Sequence, residues 1–219
     1  KDKWRIFFRS DTLSSLTDAD IATVCELGVN TAVDLRYGDE RAEEPSRFLN
    51  HDQVEVLELG LDERPGVSFL DSFQAAPDAA ETARTYLTEN YSNYPFLYAK
   101  GYGTLMRRLA AGDRVIVHCT AGKDRAGTAA ALVLSALGVP RETVFEDYLL
   151  TNQYWDRAGR ERPGMDPETV ASIFSAREEY LTAAFAAIEG QCGTVESYLE
   201  EVLGLDDAAR AALRSACLS

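Results

Sequence analysis

Cys119 and Arg125 stand with Thr120, Ala121, Gly122, Lys123 and Asp124 between them. A short apolar run, Val115-Ile116-Val117, precedes them and reads as a buried strand. The alanine- and leucine-rich stretch after Arg125 reads as a helix. His118 to Arg125 is then a loop from a strand's C-terminal end to a helix N-terminus, the junction where open α/β sheets bind ligands. Free amide N–H groups and the positive end of the helix dipole meet there, and an anion fits without further help. A thiol at the mouth of such a cup, beside Lys123 and Arg125, ionises readily. Arg125 offers a planar fork that can hold two oxygens of a phosphate. A thiolate facing a bound phosphoryl group from behind is a nucleophile for phosphoryl transfer.

The whole run His118-Cys119-Thr120-Ala121-Gly122-Lys123-Asp124-Arg125 resembles the cysteine-dependent protein tyrosine phosphatases. Within them it is similar to a bacterial atypical branch with Lys and Asp inside the phosphate loop. The resemblance implies hydrolysis of phosphomonoesters through a phosphocysteine, without cofactor or metal. It implies phosphotyrosine as substrate, with phosphoserine/threonine or phosphoinositides as further substrates. Cys119 would attack, Arg125 would clamp, and the loop from Thr120 through Ala121, Gly122 and Lys123 would cradle the phosphoryl oxygens. Asp124 would protonate the leaving oxygen and then activate water. Its other reading is a carboxylate that only complements the helix dipole. Lys123 is expected to add charge at the pocket mouth and favour substrates with more than one phosphate. As a plain surface lysine at a helix start it would oppose the dipole. One departure is Ala126, where the family usually has Ser or Thr; Thr128 or water would have to compensate.

Two further carboxylates are candidate acids. Asp34 ends a strand on what should be the same sheet edge as Cys119, and a salt bridge to Arg36 is its commoner role. Asp62 sits in a turn after another strand, where an ordinary solvated carboxylate is the commoner reading. His118 is expected to support the loop by hydrogen bonds and to favour the thiolate; His51 reads as a surface residue. With only these two histidines, no ligand cluster for a metal is legible. The aromatic stretch Tyr86, Tyr91, Tyr94, Phe96, Tyr98 and Tyr102 could wall a pocket, and packing is the commoner explanation.

The formal net charge of −14 over 219 residues repels nucleic acid and anionic membrane, so an anion site here must be a local positive pocket. The partners implied are phosphorylated proteins, lipids or small molecules. A small-metabolite phosphatase and a non-catalytic phosphate-binding module stay as alternatives. Cys25, Cys119, Cys192 and Cys217 show no metal or disulfide spacing. No apolar run is long enough to span a membrane. Cytoplasmic residence is the default, with export left open because Lys1 is not an initiator.

The elements that must position these residues follow from periodicity and breakers. Arg5–Arg9, Asn30–Leu35 and Val54–Leu59 read as strands, the last nearer an edge. Thr17 caps a helix that Gly28 ends. A helix from Asp78 to Asn90 is expected to break at Tyr91–Pro95, with another from Phe96 to Ala111. Phe69–Phe73 has no clear assignment. After a buried helix over Thr128–Leu137 come another from Pro140, an Arg-, Gly- and Pro-rich loop over 157–167, one helix from Asp166 to about Ile188, and two short ones. The fold expected is a three-layer α/β/α domain spanning 1–219, with a mostly parallel sheet of four to five strands. Residues 153–219 would form extra C-terminal helices, and the resemblance implies a lid there over the site. The Asn-Phe-Arg-Asp-like segment that family members usually carry before the first strand is not seen, so part of the pocket wall is expected to be lacking.

Overall fold

The computed structural model describes residues 5–63, 78–156 and 165–218. Among them four strands, β1 (Phe7–Ser10), β2 (Thr31–Asp34), β3 (Glu55–Glu58) and β4 (Val115–His118), form one parallel sheet in the order β1-β4-β2-β3. The central pair, β2 and β4, is buried along its whole length, as a strand covered on both faces must be. The registers Ser10↔His118, Asp34↔His118 and Asp34↔Glu58 bring all four strands to their C-terminal ends side by side. Every loop leaving those ends therefore opens on one edge.

Helices α1 (Asp18–Glu26) and α2 (Gly38–Glu43) follow β1 and β2. Thr17 and Asp20 close a capping box at the start of α1. Between β3 and β4 lie α3 (Ala79–Leu97) and α4 (Ala99–Ala110). After β4 come α5 (Arg125–Ala136), α6 (Arg141–Leu149), α7 (Thr151–Tyr154), α8 (Pro167–Phe174), α9 (Glu178–Cys192), α10 (Val195–Glu201) and α11 (Asp207–Cys217). Side chains alternate across the sheet. Ala32 and Ile116 pack with Leu13, Val29 and Phe48 on one face. Val33, Val115 and Val117 pack with α3, α4, α5 and α9 on the other, where the larger core lies. The three layers are those expected, with four strands rather than five among the described residues.

Two boundaries differ from the sequence reading. No break occurs at Tyr91–Pro95: α3 runs on to Leu97, and the chain turns at Tyr98. Pro95 costs one backbone hydrogen bond in the last turn, while Tyr91, Tyr94 and Tyr98 are almost fully buried by the continuing helix. Burial of such rings outweighs one lost bond. The single helix expected over 166–188 is instead α8 and α9, broken at Ser175–Arg177. Side chains satisfy the freed backbone there. Asn152 donates to Ala176 O at 2.8 Å and accepts from Ala176 N at 2.7 Å, and Lys123 Nζ donates to Ile173 O at 2.5 Å. The uncertain stretch Phe69–Phe73 and most of the 157–167 loop lie outside the described residues. None of the described helices is long and apolar enough to cross a membrane.

Candidate active site

The loop from Cys119 to Asp124 joins β4 to α5, and Arg125 begins that helix. Gly122 adopts φ +66, and a Cβ there would stand 2.7 Å from Ser10 O. Only glycine lets the loop turn left-handed against the end of β1. Donors surround the outside of the loop. Thr12 N donates to Thr120 O at 3.3 Å, and Arg9 Nη1 donates to Gly122 O at 2.9 Å. Thr128 donates to Asp124 O through both N and Oγ1, each at 2.9 Å. Thr128 thus has its hydroxyl turned back along α5. A planar trans peptide holds its N–H opposite its carbonyl, so carbonyls held outward turn the following amides inward, as an anion cup needs.

Cys119 is buried at the end of β4, and Arg125 is only 8 % exposed. Both terminal nitrogens of the Arg125 guanidinium have partners. Nη1 donates to Glu40 Oε2 at 2.6 Å and to Leu35 O at 3.3 Å; Nη2 donates to Glu40 Oε1 at 3.1 Å and to Thr120 Oγ1 at 3.2 Å. The ring of Tyr37 lies beneath it, 4.8 Å from the guanidinium carbon. Burial works against this charge, but Cys119 and Glu40 together raise its pKa well above the ordinary arginine range. Thr120 Oγ1 donates in turn to Glu40 Oε1. For Glu40 itself, burial works to raise the pKa, and hydrogen bonds and charge from Arg125 outweigh it, holding the carboxyl at about 2. Sequence reasoning does not single out Glu40. Its signal is one helical turn: an acid four residues beyond Arg36, whose Oε2 reaches back to Tyr37 N at 2.8 Å in the first turn of α2.

Asp124 stands at the N-terminal end of α5 without capping it. Its Oδ1 accepts no hydrogen bond among the described residues and lies 3.3 Å from Lys123 Nζ. The phenols of Tyr91, Tyr94 and Tyr148 are raised in pKa, by burial first and by the charge of Asp124 second. Lys123 is not at an open mouth. It is 2 % exposed, and its ammonium reaches Ile173 O and Ser175 O at the C-terminal end of α8, over the ring of Tyr180. A helix C-terminus is the negative end of a dipole and takes a cation, so the buried ammonium is held there and by Asp124 Oδ1, 3.3 Å away.

Asp34 and His118 lie together under the loop. Both Asp34 oxygens accept from Arg36, Oδ1 from Nε at 3.0 Å and Oδ2 from Nη2 at 2.7 Å, and all these groups are buried. Burial works to raise the Asp34 pKa, and Arg36 and His118 hold it below the ordinary value. His118 Nδ1 is hydrogen-bonded to Cys119 O at 3.4 Å, while Nε2 lies 3.5 Å from Asp34 Oδ2 without a hydrogen bond among the described residues. Burial lowers the His118 pKa to about 4, against the pull of Asp34. The ring is neutral near pH 7. Asp62 is almost fully exposed in its turn and pairs with Arg41 at 3.2 Å. Arg9 is a second site residue that sequence reasoning does not reach. Besides Gly122 O it holds Thr151 Oγ1 at 2.6 Å and Asp147 O at 2.7 Å, tying the loop to α6 and α7.

Residues 2–219 match the profile described as the tyrosine phosphatase family. The chain belongs to that family. A protein of Cupriavidus necator, provisionally named a tyrosine-protein phosphatase, is 30% identical over 91% of this chain and 74% of its own. A tyrosine-protein phosphatase of Nostoc commune is 29% identical over 90% and 69%. The triple specificity protein phosphatase PtpB of Mycobacterium tuberculosis is 30% identical over 89% of this chain and 84% of its own. The tyrosine phosphatase fold and phosphatase activity expected from the loop are thus those of its family, and its substrates are phosphorylated molecules.

Proposed function

We infer that this phosphatase hydrolyses phosphotyrosine through a phosphocysteine on Cys119. The Cys119 thiolate attacks phosphorus in line; a sulfur–phosphorus bond forms as the bond to the phenolic oxygen breaks. Asp124 gives that oxygen its proton. Water then attacks the phosphocysteine, Asp124 takes the water's proton, and the sulfur leaves as thiolate with inorganic phosphate released. The equatorial oxygens sit on inward amides and on Arg125, where charge is neutralised by groups already oriented. The observation that carries this reading is the ring of outward carbonyls around a buried cysteine and a buried arginine.

Among the three carboxylates, Asp124 is favoured as the acid. Asp34 is committed to Arg36, and Asp62 is solvated and paired with Arg41. Of the three, Asp124 alone has a buried oxygen that accepts no hydrogen bond among the described residues, with the Lys123 ammonium 3.3 Å away. The commitment of Lys123 to α8 favours a single phosphate on an aromatic ring over a multiply phosphorylated inositide. The triple specificity of the mycobacterial relative, stated in its name, makes phosphoserine/threonine esters the second substrates to test.

The Cys119→Ser variant should lose all turnover of p-nitrophenyl phosphate while still binding orthovanadate. Undiminished turnover in that variant rejects the phosphocysteine route. A panel of phosphotyrosine, phosphoserine and phosphothreonine peptides, inositides and nucleotides, ranked by kcat/KM, should place phosphotyrosine first. A nucleotide or inositide at the top would replace the substrate assignment.

A further inference from the structure

The carbonyls on the outside of the phosphate loop need donors, because a buried carbonyl without one costs about as much as a lost hydrogen bond. Main-chain N–H groups and Arg9 serve Thr120, Gly122 and Asp124. Arg125 opens α5 and its carbonyl accepts from Ala129 N in the first helical turn; at Lys123 and Arg125 phenols donate as well. Tyr102 OH donates to Arg125 O at 3.1 Å. Tyr91 OH donates to Lys123 O at 3.4 Å and is also bonded to Tyr148 OH at 2.7 Å. Both rings are fully buried.

The two tyrosines belong to one stripe that runs across the turn between α3 and α4. Tyr91, Tyr94, Tyr98 and Tyr102 follow at helical spacing, with successive ring centroids 5.3, 5.7 and 5.9 Å apart. Phenylalanine would fill the same volume in an apolar layer without burying an alcohol, so the hydroxyls have a use that packing does not supply. Burial above all, with neighbouring charges, raises both phenol pKa values well above the usual range. They remain protonated, and therefore donors, wherever the protein is folded.

We propose that Tyr91 and Tyr102 are positioning residues for phosphoryl transfer, the Tyr91 phenol fixing the Lys123–Asp124 peptide plane and the Tyr102 phenol, together with the helical Ala129 amide, fixing the Arg125–Ala126 plane, so that the N–H groups of Asp124 and Ala126 turn into the phosphate cup. The inference rests on the reading of Cys119–Arg125 as the phosphate site. Neither phenol touches substrate; each acts through the plane it holds, since a planar peptide cannot turn its carbonyl without turning its amide.

The test compares Tyr102→Phe and Tyr91→Phe with Tyr198→Phe, which removes a buried phenol bonded to Pro95 O, outside the loop. Orthovanadate inhibition, kcat/KM for p-nitrophenyl phosphate and Tm are measured on each folded variant. Tyr102→Phe and Tyr91→Phe should each weaken vanadate and lower kcat/KM about tenfold, the upper end for one lost hydrogen bond. Tyr198→Phe should lower Tm comparably and leave both constants within about twofold. Vanadate inhibition within about twofold of wild type in both loop variants, however far Tm falls, overturns the proposal. If Tyr102→Phe is not recovered folded, Tyr91→Phe decides alone. A wild-type protein that orthovanadate does not inhibit would instead reject the phosphate site itself, a separate failure.

Discussion

Two carboxylates of the site differ in what surrounds them, and that difference assigns their work. Glu40 is locked on Arg125 and Thr120 and stays ionised down to about pH 2. A group so held is a poor proton donor and a good orienter. Glu40→Gln keeps the shape and removes the charge that aligns the guanidinium, and kcat/KM should fall on the order of tenfold, the scale of one charge-assisted hydrogen bond. Unchanged kcat/KM would mean that Arg125 is oriented by Leu35 O and Thr120 alone. Asp124 is held more loosely, with the Lys123 ammonium 3.3 Å from one oxygen. Asp124→Asn removes the proton donor, so the loss in kcat should grow as the leaving phenol becomes more basic. A loss equal across leaving groups would reduce Asp124 to a dipole partner.

Elements in this fold are joined at the site by long polar side chains rather than by apolar contact alone. Arg9 ties β1 to the phosphate loop and α6, and Asn152 pins the break between α8 and α9. Lys123 ties the loop to the end of α8, whose start is capped by Asp166. Charge-assisted bonds to carbonyls are worth roughly 1.5–3 kcal/mol. Lys123→Met keeps the buried stem and removes the ammonium, so amide exchange in Thr169–Phe174 should speed up about tenfold or more relative to α5. Equal protection of α8 in the two proteins would show that its seat is held by packing against α3. That outcome would return Lys123 to consideration as a substrate contact.

For the whole molecule, the buried polar layer under the loop sets the response to acid. His118 titrates at about 4 when folded against 6.5 when exposed, and Glu40 at about 2 against 4.5. Both folded values are depressed, so the unfolded chain binds the extra protons in each window and stability falls as pH falls. The His118 contribution is intact above pH 6.5 and is lost as pH drops to about 4. That of Glu40 is intact above 4.5 and is lost as pH drops to about 2. Each is on the order of 3 kcal/mol. Urea unfolding between pH 4 and pH 7 should show the first loss, and His118→Gln should flatten it. A slope that persists in His118→Gln would move the effect to other groups. The net charge of −14 makes the cup a local exception in an acidic surface, and Glu40 partly neutralises even that exception until a phosphoryl group arrives.

The phosphate loop is legible in the sequence because its chemistry is local. Seven consecutive residues carry the thiol, the amides and the guanidinium, and an apolar strand ahead of them and a helix after them fix their geometry. The sheet is legible for the same reason: Val115-Ile116-Val117 and Thr31–Asp34 are short apolar runs between clear breakers. Other features depend on contacts between residues far apart in the chain, and the tertiary fold decided those. Lys123 reads as a charge at the pocket mouth until α8 brings two carbonyls to it. Glu40, Tyr91 and Tyr102 each bond a residue of the phosphate loop more than twenty positions away in the chain. A hydrogen bond across such a separation leaves no periodicity or spacing in the sequence, and it exists only once the layers have packed.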